Sequence, residues 1–217
     1  MSAKNLQQAI DALCRDHVLM RDIRDRFGPP PDRRRRPGFT ALLRIIAEQQ
    51  VSVAAAASIW RRVEDFLQQR PDPAAAILKA ADEDLAALGL SRPKIRYFRA
   101  LATAVKAGTL DIGALETMED ADAITALTAV KGIGRWSAEI YLLFSLERVN
   151  IWPAGDLALR EGARMALGLR RRPDTSAMDE LGEIWHPYRG AAACMLWHYY
   201  GGMRNHSRQS QQQLEKR

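Results

Sequence analysis

The chain has 217 residues, 47% of them hydrophobic, with 32 Lys and Arg against 26 Asp and Glu and a formal net charge of +6. That is enough for one large or two small domains with a true core, and the basic balance favours a polyanionic partner. Two cysteines, Cys14 and Cys194, argue against a disulfide framework, exclude a four-cysteine iron–sulfur cluster and fit a reducing cytosol.

Ala, Leu, Arg, Glu and Gln dominate and alternating β-branched runs are absent, so the pattern predicts an all-α protein. The N-terminus, "MSAKNLQQAID", lacks the apolar core of a signal peptide and leads into helices over 5–14 and 16–26. "GPPPD" at 28–32 breaks the chain, and "DRRRRPG" at 32–38 is the first of three basic runs. A long helix is predicted over 39–69; its nearly uncharged stretch at 51–60 is too short to cross a bilayer. After the "RPDP" turn come helices over 73–79 and 82–87, and then 91–107, which opens with the second basic run, "SRPKIRYFR". Further helices are predicted over 111–116, 120–129 and 135–145 and, past "WPAGD", over 156–167, 177–184 and 187–200. The third basic run, "LRRRPD", lies at 169–174. The tail "RNHSRQSQQQLEKR" has no apolar residue but Leu214 and is expected to fray or be disordered. Each basic run alone reads as a solvated loop; three together point to nucleic acid. His17, His186, His198 and His206 show no zinc-type spacing, so no catalytic metal and no cofactor is expected. The chain is expected to be cytoplasmic, monomeric and without a membrane partner.

The sharpest local signal is "AVKGIGRWSAEIYLLF", residues 129–144. Apolar positions Ala123, Ile124, Leu127 and Val130 make one helical stripe, and Ile140, Leu143 and Phe144 make another beyond a "KGIG" turn. This is a helix–hairpin–helix. Gly132 and Gly134 can take positive φ and carry no Cβ, which would let a phosphate reach main-chain N–H groups. The second helix offers the positive end of its dipole to the same anion. Lys131 and Arg135 flank Gly132, Ile133 and Gly134 with charge, so these five residues are read as a phosphate-binding hairpin. An ordinary αα turn is the plain alternative.

"LTAVKGIGRWSAEIYLLF" with the following "VNIWPAGDLALREGARMALGL" resembles the helix–hairpin–helix DNA glycosylases, which carry a Gly/Pro-rich loop and an aspartate after the hairpin. Within them the chain is most similar to the bacterial alkylation-repair type, DNA-3-methyladenine glycosylase II. The similarity extends to "FTALLRIIAEQQVSVAAAASIWRRV" (39–63), "LGLSRPKIRYFRALATAV" (88–105) and "WHPYRGAAACMLWHYYG" (185–201), and so covers most of 39–201. It implies two helical lobes with a DNA cleft between them, in a compact form without the sheet domain of the bacterial prototype. Residues 39–149 would form the middle lobe with the hairpin, and 150–201 the C-terminal lobe with the aspartate loop. Residues 1–38 would pack with that second lobe, and 202–217 would be the disordered tail.

Read alone, Asp156 is a helix N-cap. The resemblance makes it the catalytic carboxylate, twenty positions after Trp136, and both roles can coexist. Cleavage of an N-glycosidic bond builds oxocarbenium-like charge on the sugar, which an anion stabilises. Bifunctional relatives keep a lysine where this chain has Trp136, so simple hydrolysis without lyase activity is implied. The resemblance also places Trp136, Trp197, Ile140 and Leu157 at the base pocket; Trp197 read alone is equally a core residue of "MLWHYY". Gln50, in "EQQVS", corresponds to the wedge that fills the vacated stack, although both glutamines read alone are polar surface or an amide bonded to backbone. A structural monovalent cation on the carbonyls of Thr128, Val130 and Ile133 is a further implication. The expected activity is excision of N-methylated purines from double-stranded DNA. The alternatives are a glycosylase for mismatched, deaminated or oxidised bases, or a non-catalytic binder of DNA structure.

Overall fold

The computed structural model describes residues 5–214, with side chains through residue 206. Its helices are α1 (Leu6–Asp16), α2 (Val18–Phe27), α3 (Phe39–Glu48), α4 (Val53–Gln68), α5 (Pro73–Lys79), α6 (Asp82–Ala87) and α7 (Arg92–Lys106), then α8 (Asp120–Thr128), α9 (Arg135–Phe144), α10 (Leu157–Ala166), α11 (Thr175–Gly182) and α12 (Arg189–Leu214). Short 3-10 turns occupy Ala114–Glu116 and Glu183–Trp185, and no strand occurs among the described residues. None of these helices is long and apolar enough to cross a membrane.

The chain forms two compact units, Met1–Arg34 with Glu147–Arg217, and Arg35–Leu146. In the first, α1, α2 and α10 all pack on α12. Ala191, Ala192, Ala193, Met195 and Leu196 of α12 are fully buried. Gly162 lets α10 approach closely, since a Cβ there would stand 2.6 Å from the Leu196 carbonyl oxygen. In the second unit α3 is central and contacts α4, α7 and α9. Six of its ten residues, Ala41, Leu42, Leu43, Ile45, Ile46 and Ala47, are buried. Phe98, Leu101, Tyr141, Leu142 and Leu143 are buried in the same unit, each large side chain contributing about 1.5–3 kcal/mol of apolar burial.

The single helix expected over 39–69 is two helices, broken at residues 49–52, where Gln50 takes φ 55°. Ser52 then caps α4 by accepting the Ala55 N–H at 3.3 Å. The helix expected over 111–116 is reduced to one 3-10 turn because the Asp111 carboxylate takes the N–H groups of Gly113 and Ala114 at 2.9 and 3.1 Å, an Asx turn competing with the helix. The expected tail is helical as far as Leu214. Gln and Arg are good helix formers, and the packed first half of α12 supplies the costly nucleus. Residues 215–217 of that predicted tail lie outside the described residues.

The first two basic runs are partly engaged in the fold. Arg34 pairs with Asp32 at 2.7 Å, and Arg35 with Glu48 at 2.8 Å. Lys94 is buried, with its ammonium on the Ala47 carbonyl oxygen at 2.7 Å. Arg99 binds the Ala80 carbonyl oxygen and Asp82. Arg92, Arg96 and Arg170–Arg172 remain exposed.

Candidate active-site carboxylate and nucleic-acid interface

Helix α8 closes at Thr128, and the turn tightens as Val130 N–H donates to Leu127 and Ile133 N–H to Val130, at 3.1 and 3.0 Å. The two glycines of this turn serve different ends. Gly132 has φ 96°, and a Cβ there would lie 2.2 Å from Cγ of Tyr97. Its glycine is required by the fold itself, both by the left-handed backbone and by the Tyr97 ring. Gly134 is different. It has φ −89°, caps α9 in an extended conformation, and a Cβ on it would meet nothing within 4 Å. Of the two glycines, both able to take positive φ, Gly132 does so and Gly134 does not, and Gly134 is the one that opens onto clear space.

That open face is the first turn of α9, where a helix has N–H groups outside its own ladder and the positive end of its dipole. Lys131 is exposed beside it. Arg135 is 61% exposed and pairs at 2.8 Å with Glu139, which is 4% exposed, so a buried carboxylate anchors the guanidinium at the helix surface.

Gln49, which closes α3, sends its side chain to this hairpin. Its amide Nε2 donates to the Gly132 carbonyl oxygen at 3.0 Å and to Ser137 Oγ at 2.8 Å. Gln50 is exposed with φ 55°, and Val51 and Val53 beside it are 38% and 88% exposed. The turn thus presents a polar tip with an apolar margin.

In the first unit, the loop after Val149 folds through bonds from Ala154 N–H to Trp152 and from Asp156 N–H to Pro153, at 2.8 and 2.9 Å. Asp156 then begins α10. Its Oδ1 accepts the Leu159 N–H at 2.7 Å and the Trp197 indole N–H at 2.8 Å. The first bond is the N-cap; the second comes from α12 and fixes the rotation of the carboxylate. Trp197 is only 7% exposed, and the Arg33 guanidinium lies 5.8 Å from its ring centroid.

Among the residues assigned to the pocket, Asp156, Leu157 and Trp197 belong to the first unit, and Trp136 and Ile140 to the second, as do Gln50 and the hairpin. Trp136 is half-buried, Ile140 is buried at 7% exposure and Leu157 is 60% exposed. Arg33, Lys94 and Tyr97 lie within the basic runs at 32–38 and 91–99, but no motif marks them, Gln49 or Val53 individually. Only the adjacent glutamines offered a signal, as one of two amides able to bond backbone. Burial pushes the Cys194 thiol up to about 12, so it is inert as a nucleophile. Among the described residues no group of three or more His, Cys, Asp or Glu could hold a metal ion.

Residues 43–187 match the HhH-GPD superfamily of base excision DNA repair proteins. The chain belongs to this family. Within the HhH-GPD superfamily, DNA-3-methyladenine glycosylase 1 of Schizosaccharomyces pombe is 32% identical over 173 residues, covering 79% of this chain and 76% of that protein. DNA-3-methyladenine glycosylase 2 of Escherichia coli is 28% identical over 174 residues, covering 75% of this chain and 58% of that protein. The structure of the S. pombe 3-methyladenine DNA glycosylase in complex with abasic DNA superposes with a TM-score of 0.77 at 30% identity, over 88% of this chain and 95% of that one.

Proposed function

We propose that this HhH-GPD protein is a monofunctional DNA glycosylase that extrudes an alkylated purine from duplex DNA and hydrolyses its N-glycosidic bond. The observation that carries this reading is the Asp156 carboxylate, capped onto α10 and held by the Trp197 indole N–H. Two donors on one oxygen fix where the negative charge stands before substrate arrives. In the reaction the bond from C1′ to the base nitrogen breaks first, and positive charge grows on the sugar. The base departs with the bonding electron pair, Asp156 stabilises the sugar's charge, and water adds to C1′ as its proton passes to the Asp156 carboxylate or to solvent. At 4 Å and an effective dielectric near 20, such a pair interacts by roughly 4 kcal/mol, equivalent to roughly a thousandfold in rate. Preorganisation matters because a carboxylate that must turn during the reaction gives part of this back.

Lys131, Gly134, Arg135 and the N-terminal turn of α9 would bind a DNA phosphate without reading sequence. Gln50, with Val51 and Val53, would fill the space left by the flipped nucleotide. Trp136, Ile140, Leu157 and Trp197 would contact the extruded base. By the family correspondence Trp136 takes the position of the lyase lysine, so the expected product is an abasic site. The suggested monovalent cation would rest on the carbonyls of Thr128, Val130 and Ile133, at the end of α8 where carbonyls lie beyond the helix ladder. The Val130 oxygen accepts the Ile133 N–H at 3.0 Å, and a carbonyl has a second lone pair that a hard ion could use. The ion's part would be to hold the hairpin. The enzyme would act as a monomer in the DNA-containing cytosol.

One observation favours a second reading of the substrate. Arg33 places a cation 5.8 Å from the Trp197 ring centroid, where it opposes a positively charged 7-methylguanine or 3-methyladenine and tolerates neutral hypoxanthine. Duplexes each carrying one of these bases, incubated with the protein and then with an enzyme that cleaves abasic sites at neutral pH, decide between them. Excision of no base in the set would sink the glycosylase reading itself.

A further inference from the structure

We infer that Gln49 is a positioning residue for base extrusion: it ties the turn bearing Gln50 to the phosphate-binding hairpin, so that engagement of the hairpin sets the wedge. The inference rests on the reading of Gln50 as the wedge. Gln50 is not glycine, yet it holds φ 55°; such a conformation persists only where its surroundings over-determine it. The preceding residue supplies the constraint. Both N–H groups of the Gln49 amide are used, one on the Gly132 carbonyl oxygen at 3.0 Å and one on Ser137 Oγ at 2.8 Å. These acceptors lie on either side of Gly134, so the amide spans the segment that opens to the phosphate.

Helix α7 supports both partners from behind. Lys94 and Tyr97 are three residues apart and share one helix face. Lys94 donates to the Ala47 carbonyl oxygen in the last turn of α3, at 2.7 Å. The Tyr97 ring occupies the place a side chain at position 132 would take. Wedge turn and hairpin therefore rest on one helix and are joined to each other through one amide. A shift of the hairpin toward a phosphate is transmitted to Gln50 over two hydrogen bonds.

The test uses Gln49→Met, which removes both donors at similar length, beside Gln50→Ala and the wild type. Each is measured for melting temperature, affinity for undamaged duplex, fluorescence of a 2-aminopurine next to a lesion, and single-turnover excision of that lesion. The lesion is whichever of 7-methylguanine, 3-methyladenine and hypoxanthine the wild type cuts fastest. Gln49→Met is expected to bind undamaged duplex within about threefold of wild type, while the fluorescence rise is largely lost and excision slows about tenfold, the order expected for two lost hydrogen bonds. Wild-type fluorescence and excision in Gln49→Met would overturn the inference. So would a fall in duplex affinity matching the fall in excision, which would mean that only the hairpin was damaged. If Gln50→Ala behaves as wild type, the wedge reading fails, and this is visible independently of Gln49. If Gln49→Met does not fold, Ser137→Ala removes one of the two acceptors; an intermediate loss of fluorescence supports the coupling, and no loss refutes it.

Discussion

Replacing Asp156 by Asn separates the capping role of this residue from the catalytic role proposed for it. Asn keeps an oxygen that can accept the Leu159 N–H and the Trp197 indole N–H, now at 2.7 and 2.8 Å, and it caps helices about as well as Asp. What disappears is the negative charge. Hydrogen bonds to a charged acceptor contribute about 1.5–3 kcal/mol and neutral ones about 0.5–1.5, so the fold should lose about 1–2 kcal/mol. For a chain of this size that lowers the melting temperature by about 2–8 °C. The transition state should lose more, roughly 4 kcal/mol for a charge at 4 Å, or roughly a thousandfold in the single-turnover rate. The assay is excision from a duplex carrying one lesion, with enzyme in excess, scored by enzymatic cleavage of the abasic product at neutral pH, alongside thermal melting and duplex affinity. A folded Asp156→Asn that binds DNA normally and excises within about threefold of wild type would refute the reasoning, because threefold is less than 1 kcal/mol. Asp156→Ala should melt lower than Asn, since it also leaves the buried indole N–H of Trp197 without its acceptor.

The two glycines of the hairpin should respond oppositely. Gly134→Leu should fold normally and weaken binding to damaged and undamaged duplex alike, whereas Gly132→Ala should be destabilised by about 1–3 kcal/mol or more from left-handed strain and from the clash with Tyr97 at 2.2 Å; loss of affinity for damaged duplex alone in Gly134→Leu would contradict the phosphate role. Borohydride should trap no enzyme–DNA adduct if, as proposed, Trp136 takes the position at which bifunctional relatives keep their lysine; a trapped adduct would refute monofunctional chemistry. Burial holds the Lys94 pKa below its ordinary 10.5. Between the lowered value and 10.5 the unfolded chain binds more protons, so this residue makes stability rise with pH across that window. The difference in unfolding free energy between wild type and Lys94→Met should show that rise; a difference flat in pH would refute it.

Much of the fold was legible because helix ends here carry local chemistry. Asp72 and Asp174 accept the N–H groups of Ala75 and Ala177, each at 2.9 Å, and the helices after them begin where turn residues announce them. The break between α3 and α4 was not legible as a helix boundary, because what holds it is distant in sequence: the Gln49 amide on Gly132 and the Lys94 ammonium on Ala47. The hairpin was visible as two glycines among bases, but not the division of labour between them, since Tyr97 enters from α7. At the carboxylate, the N-cap was readable from "AGDLAL" alone. The indole N–H that orients it comes from Trp197, and no pattern within either segment links the two.

The contact at Gly162 bears on how this protein could be stabilised by design. A glycine inside an exposed-looking helix is the usual first choice for replacement by alanine, worth about 0.5–1 kcal/mol of helix propensity. Here the added methyl would sit 2.6 Å from the main-chain oxygen of Leu196, the residue just before Trp197. Relief would come from sliding α10 away from α12, and these two helices carry the partners of the 2.8 Å bond between Asp156 and the indole. A search for thermostable variants scored on melting alone would meet this position as a trade between helix propensity and the register of two helices, and its survivors would need screening for turnover.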